Sequence, residues 1–284
     1  MSEHPVKSLD HTLILVNDLS HAYEQYKALG FNVSPIGIQG KAKGSANHTI
    51  MLQDDYIELL GIVEPTPLNA DRRAALAHHG EGLHGLAMRV SNAKEAVDDL
   101  AKRGVKTTIY NEFSRPVALP DGTIEPASFA TLLFEPSQVP VGIAFMCEHK
   151  TPHLVWRDEL TTHPNSAVGV LEVVAISDNT EADGQRYQRL FGFTTDPQPD
   201  GSVVLRPPAM GGTIRLLPST QAHDNHPATN PGAGRYIRLR VAVRSLTDVT
   251  RCLEDSSVPY TRSERCIIVE PEYAAGVTVE FLPI

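Results

Sequence analysis

Two histidines stand at matching places in this 284-residue chain, His11 in the run Leu9-Asp10-His11-Thr12-Leu13 and His84 in Gly82-Leu83-His84-Gly85-Leu86. Each lies at the head of a predicted strand that feeds a predicted helix. Two ring nitrogens carried by the same element of a repeated unit can meet at one point when the repeats pair about a pseudo-twofold axis, which is a common way of assembling metal ligands. Taken singly, each has a plainer reading as a hydrogen-bonded core histidine. The adjacent pair His78-His79 follows a helical stretch, and neighbours on a helix cannot easily share one metal.

The elements that must position these residues follow from periodicity. Alternation over Leu9 to Val16 predicts a strand with Leu9, His11, Leu13 and Leu15 on one face. A helix follows with Leu19, Ala22, Tyr23, Tyr26 and Leu29 at helical spacing, and Gly30-Phe31 forms its exit. Strands are then predicted at Phe31, Asn47 to Leu52 and Tyr56 to Val63. The same order restarts at His84, with helix residues Ala93 to Ala101, the exit Gly104-Val105, and strands near Lys106 to Tyr110, Ser128 to Phe134 and Val141 to Glu148. Between Arg115 and Pro126 the prolines and Asp121-Gly122 predict a loop or hairpin arm. A third unit starts at Val168 and a fourth at Tyr236, giving four repeats of strand, helix and three strands.

Composition excludes some roles. Net charge is -9, with 41% hydrophobic and 21% charged residues, which argues against a general nucleic-acid binder and indicates an ordinary globular protein. No apolar run reaches the ~20 residues of a membrane helix. The first residues lack a basic-then-apolar signal, so a cytoplasmic protein is expected. The three cysteines, Cys147, Cys252 and Cys266, have no close pair and are read as reduced thiols.

The ordered combination of the βαβββ units, the first-strand histidine, the Gly30-Phe31 exit, the strand Tyr56-Ile57-Glu58-Leu59-Leu60 and the connector Thr151-Pro152-His153-Leu154-Val155-Trp156-Arg157 with His163-Pro164-Asn165 resembles the glyoxalase-like branch of the vicinal oxygen chelate superfamily. Ser166 stands where that connector is expected to carry Gly. The resemblance implies an α+β chain of four βαβββ modules paired into two glyoxalase/bleomycin-resistance/dioxygenase-like domains, over residues 1–150 and 166–284 with a linker at 151–165. It also implies a cavity enclosed by each curved sheet. His11 and His84 would then project inward with Glu148 as third ligand of a divalent metal (Fe, Mn, Zn or Ni), and Glu58 would be a further ligand or a proton-transfer base. Such a site suits a lyase, an isomerase or a ring-cleaving dioxygenase acting on a small substrate with neighbouring oxygens. The alternative is a metal-free protein that binds or sequesters a small molecule in the same cavity, lined by Tyr56, Met88 and Met146.

Three further residues are expected near a ligand: His48 on its strand, Tyr56, and Arg115, whose guanidinium can hold a carboxylate by two parallel bonds. Surface roles for His48 and Arg115 are equally open. Trp156 is read as packing the linker. The second half keeps the repeat and drops the histidines: Glu172 takes the place of His11, Ile237 or Arg238 that of His84, and Glu280 lies near the last-strand carboxylate. His223 and His226 fall in a Pro- and Asn-containing loop. The second domain is therefore expected to be structural or substrate-covering. The expected partner is a small molecule, with neither nucleic acid nor membrane, and a homodimer is compatible with the fold family.

Overall fold

The computed structural model describes residues 3–221 and 234–284. His223 and His226 lie outside the described residues. The chain forms two eight-stranded sheets of the same order. In the first, β1 (Val6–Val16), α1 (Leu19–Ala28), β2 (Gly37–Ile38), β3 (Ser45–Met51) and β4 (Tyr56–Ile62) make one module. After α2 (Ala70–His79), β5 (Gly82–Val90), α3 (Ala93–Lys102), β6 (Thr107–Ala118), β7 (Ile124–Phe134) and β8 (Ile143–His149) make its twin. The sheet runs β2-β3-β4-β1-β5-β8-β7-β6, and its outer strands β2 and β6 approach each other, so the sheet curls around its own concave face.

A short helix, α4 (Asp158–Thr161), precedes the second sheet. That sheet comprises β9 (Ala167–Ser177), α5 (Thr180–Phe191), β10 (Thr194–Pro197), β11 (Val203–Arg206), β12 (Thr213–Pro218), β13 (Arg235–Val243), α6 (Leu246–Asp255), β14 (Thr261–Arg262), β15 (Ile267–Val269) and β16 (Thr278–Pro283). The expected α+β class and fourfold repeat are what the chain forms. Among the described residues no helix is long and apolar enough to cross a membrane.

Local chemistry explains the repeat. Asp18, Asn92, Asn179 and Ser245 each cap the helix after a first strand, their side chains accepting backbone N–H groups of the first turn, a contribution of about 1 kcal/mol each. The exits use glycine where the chain turns left-handed, with φ of 83° at Gly30 and 68° at Gly192. The convex faces of both sheets, with the helices, form one continuous apolar core that includes Leu9, Ile14, Met88, Met146, Val173 and Leu239.

The joint between the halves is polar and specific. His163 accepts the Asn32 N–H at Nδ1 (2.9 Å) and donates from Nε2 to the Met51 carbonyl (2.8 Å). Asn165 donates to the Leu29 carbonyl (2.9 Å) and accepts from Ala167 N (3.0 Å). Ser166 has φ 59°, the left-handed region in which glycine costs least. Its hydroxyl accepts from Ser245 N (3.0 Å) and donates to the Ser245 carbonyl (3.3 Å), which offsets part of the strain.

Candidate functional site

One cavity of about 180 Å³ occupies the concave face of the first sheet. His11, Tyr56 and Glu58 line it from the paired strands β1 and β4, and Arg115 reaches it from the segment expected to be a loop or hairpin arm, which forms a hairpin with β6 and β7 paired out to Ala118 and Ile124. Lys43, Arg72, Asn47 and Gln39 complete its polar wall, and Phe113, Phe129 and Phe145 its apolar one.

His11 is held from behind. Its Nδ1–H donates to Asp10 Oδ1 (2.7 Å), which leaves Nε2 toward the cavity, 3.6 Å from Glu58 Oε2. The other Glu58 oxygen accepts from Asn47 Nδ2 (2.5 Å) and Gln39 Nε2 (3.1 Å). The Asp10 side chain is fully buried and also takes bonds from Arg89 Nε (2.8 Å) and His149 Nε2 (3.0 Å). Burial on its own would raise the Asp10 carboxyl, but His149 and His11 facing it outweigh burial and hold it well below the usual carboxylate range.

The expected convergence of His11 with His84 and Glu148 does not occur. His84 donates from Nε2 to the Gly80 carbonyl (2.8 Å), lies beside His79, and does not line the cavity. The reason is register. Besides Lys7, the residues skipped in the β1–β5 ladder are Asp10 and His84, bulged positions that each stand eight places before a helix cap, Asp18 or Asn92. His11 stands seven places before its cap, so its counterpart in the second module is Gly85. A one-residue offset moves a side chain to the other face of a strand. No side chain fits at Gly85, because a Cβ there would lie 2.8 Å from the Ile143 carbonyl oxygen. Glu148 misses the cavity by simple alternation on β8, which pairs without a register shift: Phe145 and Cys147 line the cavity, while Glu148 accepts the Ala93 N–H at the start of α3 (2.9 Å).

The bulge corrects other expectations. Leu9 turns into the convex core while His11, Leu13 and Leu15 keep the concave side. Met88 and Met146 are also in the convex core and do not line the cavity. His48 donates to the Ser34 carbonyl (2.7 Å) and packs on Tyr23, whereas its neighbours Asn47 and Thr49 line the cavity. Trp156 packs against Tyr56 and His149.

Three cations stand out. The side chains of Lys43, Arg72 and Arg115 make no hydrogen bond or ion pair with any described residue, and Glu58 is the one carboxylate among the described residues that line the cavity. Lys43 Nζ sits 3.1 Å from the centre of the Phe113 ring. Burial, with Arg72 close by, pulls its ammonium down to about 8. The sequence reading missed Lys43 and Arg72. Lys43 lies in a turn before β3 and Arg72 on a helix with no buried residue, so no local pattern marks either. Alternation along β3 would have favoured Asn47 over His48.

A metal cage of the expected composition does not fit these residues. His11 and Glu58 are two donors, and the matching second-module positions hold Gly85 and Phe145, against the three or four protein ligands of a typical zinc or iron site. Among the described residues one group of metal-capable side chains lies together, Asp10, Cys147 and His149, with ligand atoms within 4.8 Å. Its carboxylate already serves His11, His149 and Arg89. Burial, with Asp10 and Glu58 nearby, pushes the Cys147 thiol up, which keeps it protonated.

A glyoxalase-like domain model matches residues 9–191, well over half of the chain. The chain belongs to this glyoxalase-like family. It is thereby a member of the vicinal oxygen chelate superfamily, and solved structures share its fold. A hypothetical protein from Staphylococcus aureus superposes with a TM-score of 0.70 at 10% identity, covering 98% of this chain and all (100%) of that one. A 4-hydroxymandelate synthase variant from Streptomyces coelicolor gives 0.61 at 13% identity, covering 98% and 93% of the two chains. A fusion of a xylose isomerase-like TIM barrel with a 4-hydroxyphenylpyruvate dioxygenase gives 0.60 at 14% identity, covering 99% of this chain and 50% of that one. No curated protein sequence matches.

Proposed function

We propose that this glyoxalase-like protein binds a small organic anion in the concave cavity of its first sheet, in a cytoplasmic setting and without a resident metal cage. The observation that carries this reading is the set of three cations, Lys43, Arg72 and Arg115, whose side chains have no ion-pair partner among the described residues, around a partly aromatic cavity. A ligand carboxylate replaces the water those cations would otherwise hold, and the phenylalanines take its apolar part. His11 and Glu58 are placed to move one proton on the bound molecule: Asp10 fixes the His11 tautomer, and Nε2 and Glu58 Oε2 stand 3.6 Å apart at the cavity wall. Calorimetric titration with a panel of small carboxylates, on protein treated with chelator, tests it. Lys43→Met, Arg72→Met and Arg115→Met should each weaken binding by about tenfold to a hundredfold, the range of a charged hydrogen bond. Unchanged affinity in all three would end this reading.

A second reading keeps a divalent metal, Fe, Mn, Zn or Ni, held by His11 and Glu58 and serving a lyase, isomerase or dioxygenase reaction at vicinal oxygens. The 3.6 Å between His11 Nε2 and Glu58 Oε2 favours it, because both atoms can reach one ion. The names of two structural neighbours, a dioxygenase and a hydroxymandelate synthase, also favour it. Elemental analysis separates the readings: stoichiometric metal lost in His11→Ala and Glu58→Ala supports the second, and carboxylate binding at full affinity in chelated protein supports the first.

A further inference from the structure

The cavity does not end at Arg115. A second hollow of about 290 Å³ adjoins it and shares Thr49, Arg115 and Val155 with it. Its other walls are mainly apolar, with Ile36 from the segment before β2, Pro116, Val117 and Ile124 from the hairpin arm, and Leu154 and Leu160 from the linker. The two chambers differ in charge. The inner one holds Lys43, Arg72 and Glu58, whereas the outer one adds only Arg157, which is committed to the Ala118 carbonyl (2.8 Å) and to Glu159 (3.2 Å).

Arg115 therefore stands between a cationic chamber and an apolar one, with its guanidinium 5.8 Å from the Phe129 ring. Around the outer chamber Ile36 is 58% exposed and Ile124 is 70% exposed. Single exposed isoleucines need no explanation, but these two belong to one hollow that shares three wall residues with the inner cavity. Its volume is near the lower end of small-molecule sites and matches a chain better than a protein partner, which needs ~800 Å² of contact on each side.

We infer that the two chambers form one bipartite site for an amphiphilic carboxylate, with the charged end at Arg115, Lys43 and Arg72 and an unbranched apolar chain in the outer hollow. This rests on the anion-binding reading and adds the class of ligand. The outer chamber sets chain length, and the inner one holds the head.

Titration calorimetry of the full chain with butyrate, hexanoate, octanoate and decanoate, below their micelle concentrations, tests it, with 1-octanol as the uncharged control. Affinity should rise about fourfold per methylene once the chain passes Arg115, the increment expected for burying one methylene. Ile36→Asp and Ile124→Asp change exposed positions, so the fold survives. Each should flatten the series, weakening decanoate more than butyrate. If butyrate binds but affinity does not grow with length, or grows equally in both variants, the bipartite site is overturned and the anion-binding reading stands. If no carboxylate binds at any length, the anion-binding reading itself falls. Octanol binding as tightly as octanoate would overturn the assignment of the head. So would dimerisation in sedimentation velocity that Ile36→Asp abolishes, since the apolar rim would then be covered by a second copy.

Discussion

The concave faces of the two sheets start from the same backbone and end in opposite states. In the first, His11 and Glu58 face a cavity with three cations whose side chains have no ion-pair partner among the described residues. In the second, the equivalent strand positions hold Glu172, Arg215, Arg238 and Glu280, and they satisfy one another. Glu172 accepts from Arg215 Nε (2.9 Å) and Arg240 Nη1 (2.6 Å), and Glu280 from Arg240 Nε (2.7 Å) and Arg238 Nη1 (3.1 Å). Where the first sheet leaves charge unspent, the second has closed it into ion pairs. One fold can thus carry a binding face or a braced face, and the difference lies in whether the inward side chains complete each other.

Breaking the braced face should have the largest effect. Glu172→Ala removes the carboxylate that pairs with Arg215 and leaves Arg240 only Glu280, in a mostly buried network, and should lower unfolding stability by about 3 kcal/mol. Glu58→Ala, in the open face, breaks no arginine pair but leaves Asn47 and Gln39 without their acceptor, and should cost about 1 to 2 kcal/mol. Urea titration of both variants checks this. Equal losses would mean that the first face is braced as well.

The next effect lies where the two halves meet. Asp55, in the turn between β3 and β4, accepts the Val170 N–H of β9 at both oxygens (3.1 Å each), and burial pushes its carboxyl up to about 7 from 3.8. Because the folded-state value is raised, both states are protonated below pH 3.8 and the group costs nothing there. As pH rises toward 7 the unfolded chain gives up its proton first, and stability falls by on the order of 4 kcal/mol before levelling off. Asp55→Asn keeps an acceptor and should abolish that dependence, read as denaturation midpoint against pH. A variant with the same slope as the parent would refute the assignment.

Lys43 sharpens the comparison from the open side. Its ammonium titrates near 8 in the free protein, and a bound anion favours the charged form. Affinity should therefore be full below pH 8 and fall as pH rises above it, by about tenfold if Lys43 makes one charged contact. Lys43→Met should bind weakly and with no step near pH 8. The smallest effect is expected at the joint: Ser166→Gly relieves the left-handed backbone but loses two hydroxyl bonds and gains unfolded-state entropy, so stability should shift by under about 1 kcal/mol. Differential scanning calorimetry reads that shift, and a larger loss would mean that the Ser245 contacts dominate.

Much of this was legible in the chain. Strand and helix periods, the four caps and the glycine exits are short-range features, and they placed the four modules and located Glu58 and Tyr56 on an inward face. The substitution of Glu172 for His11 was also readable, because it depends only on counting within a repeat. His84 was misplaced because a strand has period two, and a bulge, which no local propensity announces, shifts every side chain before it; Glu148 was misplaced because alternation along β8 turns Phe145 and Cys147 inward instead.

The sequence by itself determined the architecture, since hydrophobic alternation and helix capping act between residues a few positions apart. Tertiary structure alone decided the chemistry. Arg72 from α2, Lys43 from a turn and Arg115 from the hairpin arm meet His11 only when the sheet curls, and charges separated by 30 to 100 residues have no local signal of their meeting. The bulge at Asp10 then chooses which histidine faces them. At this site, His11 is the inward histidine and His84 is part of the scaffold.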